Sequence, residues 1–152
     1  KMTSINIKRR YEIVQKLGLA INMIKDAFGD NSKWKWSFVE LEGRFATVAK
    51  NLIDMKSAVK DYFDPRAEDY ETTVLYMRAI IRLLNDSATA YRDKYELSTR
   101  RIDDMRNGIK YLLALRKLYL AIGDSDNAEE VKKKALVWKD KMDADHKAGL
   151  SN

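Results

Sequence analysis

The sequence predicts an all-α protein: an elongated bundle of about five helices, with one long central helix and a C-terminal helical hairpin. Three observations carry that expectation. Six Gly and one Pro among 152 residues is too little turn chemistry for a β-sandwich or a doubly wound α/β domain. Apolar residues recur at three- and four-residue steps through most of the chain. Hydrophobic residues make up 45% and charged residues 34%, which supports a buried core and is far from a disordered composition. The length suits one domain, expected over residues 1–146, followed by a flexible tail at 147–152.

The first helix is expected over residues 5–28, with Thr3 or Ser4 as N-cap. Ile13, Leu17, Ala20, Ile21, Ile24 and Phe28 form its apolar stripe. Gly29-Asp30-Asn31-Ser32 then supplies a C-cap, a turn and a new N-cap. A second helix should run to about Tyr62, because Trp34, Phe38, Leu41, Phe45, Val48, Leu52, Met55 and Val59 alternate steps of four and three, a heptad-type seam. Asp64-Pro65 marks the next start, with Asp as N-cap and Pro at the first helical position.

Beyond Pro65 the 4-3 spacing continues unbroken from Tyr70 to Tyr119, with only Ser98 and Arg116 departing from apolar or aromatic character. One helix over that seam would be roughly 75 Å long at 1.5 Å per residue. A compact globule of this size has a radius of gyration of only about 15 Å, so a break is required. Asn107-Gly108 is its natural place, since both residues tolerate the left-handed conformation, and a further bend is expected near Ser98-Thr99. Met77, Ile81, Leu84, Tyr91 and Tyr95 are the expected helix–helix interface of this seam, within one chain or between chains. The tyrosines suit either setting, because each hydroxyl needs a polar partner.

The C-terminal hairpin is expected as a helix over 109–122, a turn at Gly123-Asp124-Ser125 and a helix over 126–146. Ala128, Val131, Ala135, Trp138 and Met142 form its buried face. Leu112, Leu115, Tyr119, Gly123, Asp124, Ala128 and Ala135 fall at the relative positions of one tetratricopeptide unit, which the hairpin resembles. Arg116, Lys132 and Asp140 stand where that repeat carries a small residue, an aromatic and Pro. No second copy appears at a 34-residue period, and stable arrays need about three, so no family assignment follows.

Chemistry is sparse. The absence of Cys excludes disulfides, thiol catalysis and thiolate metal sites, and the single His146 sits near the end of the last helix. No phosphate-binding Gly-rich loop, His-Glu-x-x-His or Gly-x-Ser-x-Gly occurs. Asp103-Asp104 and Glu129-Glu130 are adjacent and so point apart on a helix, and the acids at 68–71 suit a helix start. The expectation is a protein that is not an enzyme and needs no cofactor or metal.

Charge is informative instead. The net charge of +6 divides into +5 over residues 1–63, −1 over 64–108 and +2 over 109–152. Lys33-Trp34-Lys35-Trp36 interleaves ammoniums with indoles, a pattern that suits single-stranded nucleic acid, whose bases stack on rings while lysines contact phosphate. Trp34 falls in register with Phe38 and Leu41, so Trp36 is expected to be the exposed ring. Together with Lys8, Arg9 and Arg10, the residues Lys33, Lys35 and Trp36 make a candidate nucleic-acid surface, whose bland counterpart is an ordinary solvated face.

The leading expectation is therefore a helical interaction or assembly protein, self-associating or bound to a protein partner, with unspecific nucleic-acid binding as the alternative. Peripheral membrane contact through the basic first helix is a third, weaker reading. The longest apolar run, residues 17–24, is too short to span a bilayer and lacks a signal-peptide cleavage site. A cysteine-free chain fits a cytoplasmic or intracellular setting, and Lys1 before Met2 reads as an added residue.

Overall fold

The computed structural model describes residues 6–29 and 33–152. The expected caps Thr3 and Ser4 and the Asp30-Asn31-Ser32 turn lie outside the described residues. The described chain is all-helical, with helices α1 (Ile7–Phe28), α2 (Ser37–Asn51), α3 (Met55–Tyr62), α4 (Tyr70–Lys94), α5 (Ile102–Ala121) and α6 (Ser125–Lys147). The fold class is the one the spacing predicts. Backbone contacts divide the chain into two compact units, residues 1–83 and 84–152, and α4 contributes to both.

In the N-terminal unit, Asn6 caps α1 by accepting a 2.9 Å hydrogen bond at Oδ1 from the Arg9 amide. Gly29 ends it at φ 79°, where an L side chain would be strained, and donates its amide to the Lys25 carbonyl. Helix α2 follows the turn at 33–36. The long second helix expected from the heptad seam is broken at Leu52–Asp54 instead. Asp54 is extended there, its carboxylate accepts from the Ser57 hydroxyl at 2.8 Å, and Ile53 is buried at the bend. The face that α2 buries is Val39, Gly43, Phe45, Ala46 and Ala49, whereas Trp34, Leu41 and Val48 of the expected seam are exposed.

Asp64 does not cap α4. Its carboxylate accepts from the Arg66 amide at 3.0 Å in a local turn, and α4 starts five residues after Pro65. Thr73, Tyr76, Met77 and Ile80 form its buried stripe in this unit. The Tyr76 hydroxyl donates to the Ala49 carbonyl at 2.7 Å, and its ring lies 5.8 Å from that of Tyr11.

In the C-terminal unit α4 passes into one π-helical turn, Tyr95–Thr99, then Arg100 at φ 52° and an extended Arg101 that precedes α5. The bend anticipated near Ser98-Thr99 is here. The break anticipated at Asn107-Gly108 is not: Gly108 is buried inside α5, where a Cβ would sit 3.1 Å from the Ala88 carbonyl oxygen and 3.4 Å from the Trp138 ring. Glycine at this position allows close helix approach rather than termination. Helix α5 thus begins at Ile102, seven residues before the expected hairpin arm.

Asp124 caps α6 by accepting from the Asn127 amide at 3.1 Å, and all five expected residues of the α6 face, from Ala128 to Met142, are buried. The segment after α6, expected as a flexible tail, returns to the bend. Leu150 donates its amide to the Asp145 carbonyl, Asn152 donates to the Arg100 carbonyl, and Ile102 donates to the Asn152 carbonyl, at 2.8, 2.8 and 2.9 Å.

Candidate docking surface

The six residues expected to form a basic-aromatic surface do not share one site. Lys8 is exposed, and Arg9 is paired with Glu12 at 3.1 Å on the same helix. Arg10, 8% exposed, is buried, and its charge acts on Tyr76 and Asp54. Burial pushes the Tyr76 hydroxyl up to about 12, a shift the Arg10 charge opposes. The Ser57 hydroxyl and amide hold Asp54 below its ordinary value. Lys33, Lys35 and the tryptophans lie beside the other end of α1, where the Phe28 ring meets Trp34 at 6.1 Å and Phe38 at 5.6 Å. The length of α1 between Arg10 and Phe28 is roughly 27 Å. The basic cluster is therefore split by the helix that carries half of it.

The turn itself holds two cation–π pairs. The Lys33 ammonium is 5.2 Å from the Trp34 ring centre, and the Lys35 ammonium is 4.9 Å from that of Trp36. The exposure of the two rings is the reverse of the expectation: Trp34 is 46% exposed and Trp36 is half-buried. Heptad register placed Trp34 inward, but α2 turns a different face to its core.

Of the five residues expected at a helix–helix interface, Met77, Leu84, Tyr91 and Tyr95 are buried within this chain and Ile81 is half-buried. Residues covered by their own chain have no surface left for another molecule.

An exposed apolar face lies instead on α1. Between residues 17 and 29 only Lys25 and Asp26 are charged, and Lys25 is occupied by Glu42 at 2.6 Å. At about 100° per residue, Leu19, Met23, Ala27, Ala20, Ile24, Leu17 and Phe28 follow one another around an arc of about 180°. All seven are exposed, Leu19 and Met23 at 62% and 64%. The opposite side faces α2, through the Lys25–Glu42 pair and through Gly18, whose missing Cβ would stand 3.4 Å from the Phe45 ring. Trp34 in the turn and Leu41 and Val48 on α2 continue the apolar surface as exposed residues at seven-residue spacing, joined to α1 where Phe28 meets Trp34.

The C-terminal unit contains a buried polar cluster that composition and motif reasoning missed. The Asp145 carboxylate accepts from the Tyr95 hydroxyl at 2.9 Å and from the Lys141 ammonium at 2.8 Å, with the Arg100 guanidinium 3.7 Å away. The Lys141 hydrogen bond leads in holding Asp145 below the ordinary carboxylate value, while burial and then the Asp145 carboxylate raise Tyr95. Asp104 accepts from the Thr99 hydroxyl and faces Lys94 at 3.7 Å. This arrangement satisfies buried charges and ties α6 to the π-helical turn. A signal for it was present: Asp145 follows Trp138 and Met142 at helical spacing, an acid on an apolar stripe.

Among the described residues, no helix is long and apolar enough to cross a membrane, and no three His, Cys, Asp or Glu side chains gather to hold a metal ion. Fold and surface together define an all-helical bundle protein with an uncovered apolar face on its first helix. The chain belongs to the TP0443 family, whose family model matches residues 1–146. No curated protein and no solved structure matches it.

Proposed function

We propose that the protein is a non-enzymatic interaction protein that docks through the outer half of α1, residues 17–28, and the adjoining Trp34 of the turn with Leu41 and Val48 of α2. The carrying observation is the uncovered arc of seven apolar residues on α1. Contiguous apolar surface of this kind marks a binding site, because leaving it in water forfeits the stabilisation that burial supplies. Met77, Leu84, Tyr91 and Tyr95 are covered inside the chain, whereas the apolar residues of this face are exposed and adjoin one another.

Photo-cross-linking tests the docking face. A benzoylphenylalanine in place of Ile24, irradiated in cells that produce the protein, should yield an adduct heavier than the 17.7 kDa chain or a lipid-modified chain by mass spectrometry. The same side chain in place of Lys133, exposed on α6, should yield far less. Equal labelling at the two positions, or none at position 24, overturns the reading.

A second reading, binding of single-stranded nucleic acid without sequence preference, draws its support from the lysine–tryptophan pairs at 33–36. The burial of Arg10 and the pairing of Arg9 reduce its phosphate contacts to Lys8, Lys33 and Lys35.

A further inference from the structure

We infer that the occupant of the α1–α2 face is the surface of an anionic lipid bilayer, on which α1 lies in the plane of the interface with residues 17–28 facing the acyl region. This rests on the docking reading and names its partner. Three observations select a bilayer over a helix of another protein or a second copy.

The first is the width of the face. A helix packed against one partner helix buries a stripe of about 100°, whereas a helix lying at a bilayer surface presents a broad apolar side to a planar slab. The exposed arc on α1 covers about 180° and contains no charge from residue 17 to residue 28, with Asp26 at its edge. The second is the chemistry at the end of the face. Phe28 and Trp34 form an exposed aromatic pair, and Lys33 stacks on Trp34. An indole prefers the depth where apolar and polar zones meet, and a lysine beside it reaches lipid headgroups with its ammonium. The third is charge. Lys33 and Lys35 stand exposed at the end of the face, each with its ammonium over an indole, so a second copy brought face to face meets like charge there, while phosphate headgroups meet complementary charge.

The test is flotation of the full chain with vesicles of phosphatidylcholine alone or mixed with phosphatidylglycerol, followed by tryptophan fluorescence. The natural chain should float with the mixed vesicles and shift its emission to the blue. Each lysine near an anionic surface contributes about fivefold in affinity, so loss of phosphatidylglycerol or addition of salt should weaken binding by roughly tenfold or more. Met23→Glu with Ile24→Glu should abolish flotation at an unchanged melting temperature, because both side chains are exposed. Leu136→Glu with Val137→Glu, exposed on α6, should leave flotation intact.

Failure to float with mixed vesicles overturns the inference, as does equal loss in the α6 pair. A chain that forms dimers by sedimentation, sensitive to Met23→Glu with Ile24→Glu, and ignores vesicles assigns the face to a second copy. A chain whose tryptophans are quenched by oligo(dT) and not shifted by vesicles assigns the turn at 33–36 to nucleic acid. The dimer outcome leaves the docking reading in place while removing the bilayer.

Discussion

Helices α1 and α6 carry comparable apolar stripes, and the structure treats them in opposite ways. The α6 set, Ala128, Val131, Ala135, Trp138 and Met142, is buried throughout. The α1 set, Ile13, Leu17, Ala20, Ile21, Ile24 and Phe28, contains no buried residue. The α6 stripe has a partner across a tight turn, since Gly123 and Asp124 deliver the chain back onto α5. The α1 helix offers its inner side to α2 and has apolar residues left over on the outer side. Periodicity identifies residues that share a face; it does not establish that the face is covered.

The sharpest way to break this comparison is to place a charge on each kind of face. Leu84, 1% exposed, should not tolerate Asp: an unpaired buried carboxylate should cost about 4 kcal/mol or more, seen as loss of cooperative unfolding in denaturant. Ile24→Asp should change the unfolding free energy by no more than about 0.5 kcal/mol. A large loss at Ile24 would mean that the α1 face is covered within the chain, and the docking reading would fall with it.

A smaller effect is expected from the polar cluster that only the C-terminal unit possesses. Asp145 has its folded pKa lowered, so its contribution is present above the ordinary carboxylate value and is lost as pH falls through the lower folded value. Asp145→Asn should cost about 1–3 kcal/mol at neutral pH, by removing the charged partner of Lys141 and Arg100. It should also make stability less dependent on pH below about 4, measured as melting temperature against pH. An unaltered acid limb in the variant would show that other carboxylates govern it.

The smallest effects compare two helical glycines. Alanine at Gly18 meets the Phe45 ring at 3.4 Å, an ordinary contact, and should stabilise by up to about 1 kcal/mol through helix propensity. Alanine at Gly108 meets the Ala88 backbone oxygen at 3.1 Å, where relief requires one helix to move, and should destabilise by about 1–3 kcal/mol. Equal signs at the two sites would contradict the close approach at Gly108.

Legibility followed the range of the interactions involved. The residues of the α6 stripe and the turn at Gly123-Asp124-Ser125 were readable because each depends on neighbours within four residues. The long second helix was misread because the bend at Leu52–Asp54 depends on burying Ile53 against the rest of its unit. Gly108 was misread because a glycine that ends a helix and one that admits a neighbouring helix look alike in a sequence. The candidate face was half legible: Leu17, Ala20, Ile24 and Phe28 belong to the expected apolar stripe, whereas Leu19, Met23 and Ala27 and the exposure of all seven do not follow from it. Arg10, expected on a nucleic-acid surface, and Asp145, which no motif singles out, both occupy apolar stripes and are buried with partners distant in sequence.

By itself the sequence determined that this chain is helical and placed the extents of α1 and α6 and the buried stripe of α6, because backbone hydrogen bonding and side-chain period are local. The tertiary structure decided which of those sides are covered. Burial depends on what the chain brings to each face, and that left α6 enclosed and α1 with an apolar half open to solvent.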